Sequence, residues 1–183
     1  MKSTRLSSEQ LVQHLTPPPG ITMPRYPARR DRVYRGALVG FTAFLVMTGV
    51  GVELALPLVI VLAHWGAAFS ALVAGWTFLV WLASWRWVVR GLVGMGLVLA
   101  IWPVLSVPSW GLVLLASAIM AAKETHCFHF RAGKIIPWYT LGLGCLVLAG
   151  TTPLVLGLLW LGLGGLWAWL LVGRLKLPLF IID

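Results

Sequence analysis

Residues 91–122 read GLVGMGLVLAIWPVLSVPSWGLVLLASAIMAA, 32 residues without one Asp, Glu, Lys or Arg. As one helix this run would be about 48 Å long, against a bilayer core of about 30 Å. Pro103, Ser106, Pro108 and Ser109 sit in its middle. Proline removes a backbone donor and clashes with the preceding turn, so such a cluster divides a helix. The run therefore reads as a hairpin of two short spans, Leu92 to Val107 and Ser109 to Lys123. A short re-entrant hairpin over 92–122 is the alternative.

The same reasoning cuts the other apolar runs. From Gly36 to Trp85 the single charged residue is Glu53, and Glu53 with Pro57 separates a span at about Gly36 to Leu56 from one at about Leu58 to Trp85. From Ile135 to Gly173 there is no charge, and Gly150-Thr151-Thr152-Pro153 divides the run in two. Overall 60% of the residues are hydrophobic and 10% are charged, well below the roughly 25% charged residues of an ordinary soluble domain. The sequence thus predicts an all-α, polytopic transmembrane helical bundle of about six spans (36–176). A polar basic arm (1–35) precedes it, and a short tail (177–183) ends the chain.

Charge sets the orientation. With six spans, all 14 Lys and Arg residues fall on one side: the N-terminal arm, Arg86 and Arg90, Lys123 to Lys134, and Arg174 with Lys176. The connections after Leu56, around Pro103 to Ser109 and at Gly150 to Pro153 hold none. Positive loops stay cytoplasmic, so both termini are expected on the cytoplasmic side. In the arm, Ser7-Ser8-Glu9-Gln10 with Leu11, Val12 and Leu15 after it reads as a capped amphipathic helix. Pro17-Pro18-Pro19-Gly20 ends it, and Pro24 and Pro27 keep the stretch up to the first span irregular. The arginines from Arg25 to Arg35 read as an anchor on anionic headgroups. The net charge of +9 is concentrated in these flanks, and no basic and aromatic groove for nucleic acid remains.

Tryptophans at the proposed inner ends (Trp85, Trp87, Trp138, Trp167, Trp169) and outer ends (Trp65, Trp102, Trp110) fit interfacial anchoring. Trp76, Trp81 and Trp160 are left for deeper packing or ligand contact. Ala63, Ala67, Ala71 and Gly75 form a smooth ridge on which another helix can approach closely.

Two constellations can carry chemistry. Glu53, an ionisable group at membrane depth, and His64 lie toward the same outer end and form a candidate intramembrane polar pair. The pair can bind a proton, or His64 can ligate a tetrapyrrole; the structural alternative is an interfacial carboxylate and a histidine held by the backbone. The second constellation is the cytoplasmic patch Lys123, Glu124, His126, Cys127, His129 and Arg131. His126 and His129 share a helix face, but Cys127 points elsewhere, and no second Cys or His pair completes a tetrahedral zinc site. Cofactor contact there would run through His126 or His129. Cys127 and Cys145 lie in different settings and are not expected to form a disulfide. No phosphate loop, His-Glu-x-x-His or Gly-x-Ser-x-Gly pattern occurs, which disfavours an enzyme.

The patch Ala122-Lys123-Glu124-Thr125-His126-Cys127-Phe128-His129-Phe130, with its Lys-Glu-x-x-Cys-Phe core, resembles a family of uncharacterised integral membrane proteins of cyanobacteria and plastids. Gly51-Val52-Glu53-Leu54-Ala55-Leu56-Pro57 before a Trp-rich span fits the same family. The resemblance covers about residues 30–175. It implies a thylakoid or plasma membrane and, as partners, the subunits of a membrane complex, photosynthetic or other. Three functions are consistent with these readings. The first is a non-enzymatic accessory or assembly factor, with or without a tetrapyrrole. The second is a small proton, metal or solute transporter using Glu53 and His64. The third is a membrane enzyme using His126, Cys127 and His129.

Overall fold

The computed structural model describes residues 28–78 and 83–177. These form six helices: α1 (Ala28–Glu53), α2 (Pro57–Thr77), α3 (Ala83–Leu99), α4 (Ser106–Phe128), α5 (Arg131–Leu148) and α6 (Pro153–Leu175). A single 3-10 turn, Pro103–Leu105, leads into α4. The expected amphipathic helix near Leu11 lies outside the described residues, as do Trp81 and the last six residues.

Local chemistry explains most helix ends. Pro57 and Pro153 open α2 and α6 at the first turn, where the missing N–H costs nothing. The chain leaves α1 through Ala55 at φ 51°, and the Leu56 amide returns 2.8 Å to the Gly51 carbonyl. The chain leaves α5 through Gly150 at φ 71°, and the Thr151 amide returns 3.2 Å to the Leu146 carbonyl. Both are left-handed C-terminal caps. The second has the glycine such a turn favours; the first does without it.

Residues 91–122 are broken between Ala100 and Leu105, as a hairpin requires. The preceding helix differs from expectation. α2 ends at Thr77, with Phe78 in an extended conformation (φ −57°, ψ 122°), instead of running on to Trp85. Arg30 and Arg90 both donate to the Trp76 carbonyl, at 2.8 and 3.2 Å. Cationic donors on a last-turn carbonyl satisfy the orphan acceptors of a helix end. Trp85, Arg86, Trp87 and Arg90 consequently open α3. At the other border, Arg29 to Arg35 are already helical, so the first apolar helix begins eight residues earlier than Gly36.

Each helix packs on its neighbours in sequence, and α6 also packs on α1, which closes the ring; α2 touches α4 across it. The closest seams use small residues. Ala63, Ala67, Ala71 and Gly75 of α2 are all buried. Gly49 of α1 lies against Leu161, and Gly164 of α6 lies against Val46, so an added Cβ would come within 2.7 and 2.6 Å of those side chains. Phe41 meets Trp167 edge to face at 5.3 Å in the centre. Trp167 is fully buried rather than interfacial, whereas Trp76 is exposed at the bundle end rather than deep. Trp160 is buried.

The outer surface is apolar. Leu58, Phe69, Trp138 and Leu148 are each at least 60% exposed. Such a surface is unfavourable in water and favourable in lipid. Among the described residues four helical stretches are long and apolar enough to cross a bilayer: Arg29–Glu53, Pro57–Thr77, Pro103–Phe128 and Pro153–Leu175. α3 has 17 residues and α5 has 18, about 26 and 27 Å of helix. Arg86 and Arg90 lie in α3, and Arg131, Lys134 and Pro137 in α5.

Candidate functional site

Every described Lys and Arg lies at one end of the bundle, where α1, α3 and α5 begin and α2, α4 and α6 finish. A cluster of charges is sealed inside this basic end. Asp31 is 1% exposed, Glu124 0% and Arg174 1%. Arg35 Nε donates to Asp31 Oδ2 over 2.8 Å, one helical turn away. Arg174 Nη2 donates to Asp31 Oδ1 over 2.5 Å. The Arg174 Nε lies 3.5 Å from Glu124 Oε2, and Lys123 Nζ donates to Glu124 Oε1 over 3.0 Å. Arg174 thus bridges two carboxylates, and α1, α4 and α6 are clasped together.

Aromatic rings complete the enclosure. The Arg174 guanidinium lies 4.4 Å from the centre of Phe128. The Lys123 ammonium lies 5.2 Å from Phe128, 5.7 Å from Tyr34 and 5.9 Å from Phe78. Cations over ring faces are stabilised by the ring quadrupole, more so without water. Arg35 also donates to the Leu177 carbonyl over 2.8 Å. Asp31 and Arg174 are 143 residues apart, so the clasp holds the two described ends of the chain side by side.

The patch predicted from sequence is divided by this arrangement. Lys123, Glu124 and Phe128 point into the clasp. His126, His129 and Arg131 are exposed, and Cys127 is partly buried. His129 closes α4 in the left-handed region at φ 57°. Among the described residues no group of three or more His, Cys, Asp or Glu is gathered closely enough to hold a metal ion.

The other end has a different construction. His64 is buried, and its Nε2 lies 2.8 Å from Ser109 Oγ. Ser109 donates its hydroxyl proton to the Gly96 carbonyl over 2.7 Å, so its lone pair accepts the Nε2 proton and the tautomer is set by the network. The imidazole stacks on Trp110 at 4.6 Å, and Trp110 packs on Trp160 at 4.4 Å. This relay joins α2, α3, α4 and α6. Glu53 turns elsewhere: its carboxylate lies over Gly157 of α6, in the space a Cβ there would fill. Glu53 Oε1 is buried without a hydrogen-bond partner. No hydrogen bond joins Glu53 to His64 among the described residues.

No family model, curated protein or solved structure matches the chain. Its chemistry is therefore read from its own geometry. Sequence reasoning placed Lys123, Glu124 and His64 among the candidates and missed Asp31, Arg35, Arg174 and Ser109. One signal for the clasp was present: Asp31 is an acid inside the basic run Arg29-Arg30-Asp31-Arg32, with an arginine four residues on.

Proposed function

We propose that the chain is a non-enzymatic, multi-pass membrane protein that acts as an accessory or assembly subunit of a larger membrane complex, its basic end facing the cytoplasm. The reading rests on the clasp. The charged groups sealed inside the basic end are paired with one another: Asp31, Arg35, Arg174, Glu124 and Lys123 tie three helix ends together. His64 and Ser109 are likewise engaged in joining helices. What the basic end presents outward is a surface of His126, His129, Arg131 and Lys134, suited to docking on an acidic face. The positive-inside rule supplies the orientation. The resemblance carried by Lys123 to Phe128 would imply a thylakoid or plasma membrane as the home.

A tetrapyrrole on this chain is better served by the exposed His126 than by His64, whose Nε2 already donates to Ser109. The test is migration in mild detergent. The wild-type chain is expected to travel with a larger assembly, and Arg131→Glu with Lys134→Glu to release it. A wild type that travels alone in its own native membrane extract contradicts the proposal.

A second reading is favoured by Glu53. A buried carboxylate oxygen without a partner at membrane depth is a feature of proton and cation routes. Reconstituted in vesicles, the chain would then conduct or exchange protons, and Glu53→Gln would abolish the flux. Equal flux in both proteins removes this reading.

A further inference from the structure

Arg30, Arg86 and Arg90 converge where α2 ends and α3 begins. Arg30 and Arg90 each donate to the Trp76 carbonyl, and Arg30 feels the charge of both other arginines. Two guanidiniums on one carbonyl repel each other unless an anion lies between them. Among the described residues no carboxylate lies between them. Of the chain's five carboxylates, Asp31 and Glu124 are committed to the clasp, Glu53 is at the far end, and Glu9 and Asp183 lie outside the described residues. Arg86 and Arg90 are one helical turn apart on α3, and no ion pair reaches any of the three among the described residues. Arg90 Nε is buried without a hydrogen-bond partner. Its guanidinium lies 5.4 Å from both the Trp76 and Trp87 rings, two exposed indoles of the kind that sit at headgroup level.

A groove continues along the same faces of the same two helices. It is lined by Trp65, Gly66, Phe69, Leu97, Val98 and Ile101, has a volume of about 540 Å³ and is open on its outer side. Ile101 is in the turn two residues past the end of α3; on α2, Phe69 and Trp65 stand 7 and 11 residues before Trp76, and on α3, Leu97 stands 7 after Arg90. Those spacings keep residues on one helix face. Eleven residues of helix span about 16 Å, close to one leaflet of a bilayer core of about 30 Å. Gly91 and Gly94 lie on α3 between the two parts, and a Cβ at either would meet open space.

We infer that the α2–α3 seam is a binding site for one anionic phospholipid. Its phosphate is held by Arg30, Arg86 and Arg90 between Trp76 and Trp87, and an acyl chain lies in the groove from Phe69 to Ile101. Arginine suits the phosphate because its fork donates two parallel hydrogen bonds. Basic pockets between helices at the cytoplasmic level select anionic headgroups in the same way.

The test uses the full chain in a non-ionic detergent, titrated with phosphatidylglycerol or phosphatidylcholine, with bound lipid counted by native mass spectrometry. One phosphatidylglycerol is expected to bind at least about tenfold more tightly than phosphatidylcholine. Arg86→Gln with Arg90→Gln should erase that preference, whereas Arg131→Gln with Lys134→Gln, the same charge loss at the same end, should preserve it. Arg86→Gln alone leaves the Trp76 carbonyl contacts in place and should remove part of the preference, which separates binding from misfolding. Equal loss in both double variants, or no preference in the wild type, overturns the site. Inorganic phosphate or glycerol 3-phosphate at equal concentration should not displace the lipid; displacement would show an anion site without the acyl groove.

Discussion

The two ends of the bundle hold their polar groups in opposite ways. At the basic end, two carboxylates and three cations share one sealed cluster, and the clasp carries net positive charge. At the far end, the buried polar groups are neutral or alone: an imidazole, a hydroxyl and a carbonyl in a relay, and one carboxylate apart from them. Ions taken out of water need partners with good geometry, and removing one partner leaves an uncompensated charge. A neutral hydrogen bond is worth less, and its loss costs correspondingly less. The basic end is therefore expected to be the brittle part of the fold, and the far end the tolerant part.

The largest contrast comes from Arg174→Met. It removes the cation that Asp31 and Glu124 share, leaving Arg35 on one and Lys123 on the other, and stability should fall by about 3–5 kcal/mol, read as a loss of thermal stability in detergent. Replacing all five members together, Asp31 and Glu124 by Leu and Arg35, Lys123 and Arg174 by Met, should recover most of that loss, because a buried cluster exchanged whole for apolar side chains is often neutral. A fivefold variant as unstable as Arg174→Met would mean that the cluster contributes through shape or through a ligand rather than through charge balance.

At the far end Ser109→Ala removes the bridge between His64 and the Gly96 carbonyl. It should cost about 1–3 kcal/mol, clearly less than Arg174→Met by the same measurement. An equal cost would erase the distinction between the ends. Glu53→Gln should change stability by less than about 1 kcal/mol, since the wild-type oxygen has no hydrogen bond to lose. The smallest effect is expected at the turn after α1. Ala55→Gly relieves a left-handed alanine and should stabilise by about 0.5–1 kcal/mol, whereas Gly150→Ala in the matching turn after α5 should destabilise by a similar amount.

The breaks in the apolar runs were legible in the sequence because proline and glycine act locally. Pro57, Gly150 and Pro153 mark turns where the structure has them, and Pro103 opens the short turn that divides residues 91–122. The end of α2 was not legible. It is set by Arg30 and Arg90 arriving from other helices at the Trp76 carbonyl, and nothing in the sequence between Thr77 and Ala83 announces it. The clasp was hidden for the same reason. Asp31 and Arg174 meet because the ring of helices closes, and that closure is a property of packing, not of spacing.

His64 illustrates the limit at the scale of one side chain. Its nearness to Glu53 in sequence suggested a pair across the first hairpin. Rotation of the two helices about their axes instead turns His64 toward Ser109 of α4 and Glu53 toward Gly157 of α6. The choice between those faces depends on where Gly40, Gly51 and Gly66 let α1 and α2 approach, against Ser70, Ile60 and Phe44, which a hydropathy pattern does not specify. The reading of Lys123 to Arg131 as one reactive patch failed to foresee the division for a simpler reason. On a helix end, neighbours in sequence point in different directions, so Glu124 and Phe128 turn inward and His126 outward.

The central claim is that the helices pair so that every basic connection is at one face of the membrane and every neutral connection at the other. Single cysteines placed at Arg32, Val104, Lys134 and Thr152, in a chain with Cys127 and Cys145 replaced by alanine, measure this directly through a maleimide that does not cross membranes. Arg32→Cys and Lys134→Cys should react from one side only, and Val104→Cys and Thr152→Cys from the opposite side only. Val104→Cys reacting from the same side as Lys134→Cys would contradict the pairing of α3 with α4 as two membrane crossings.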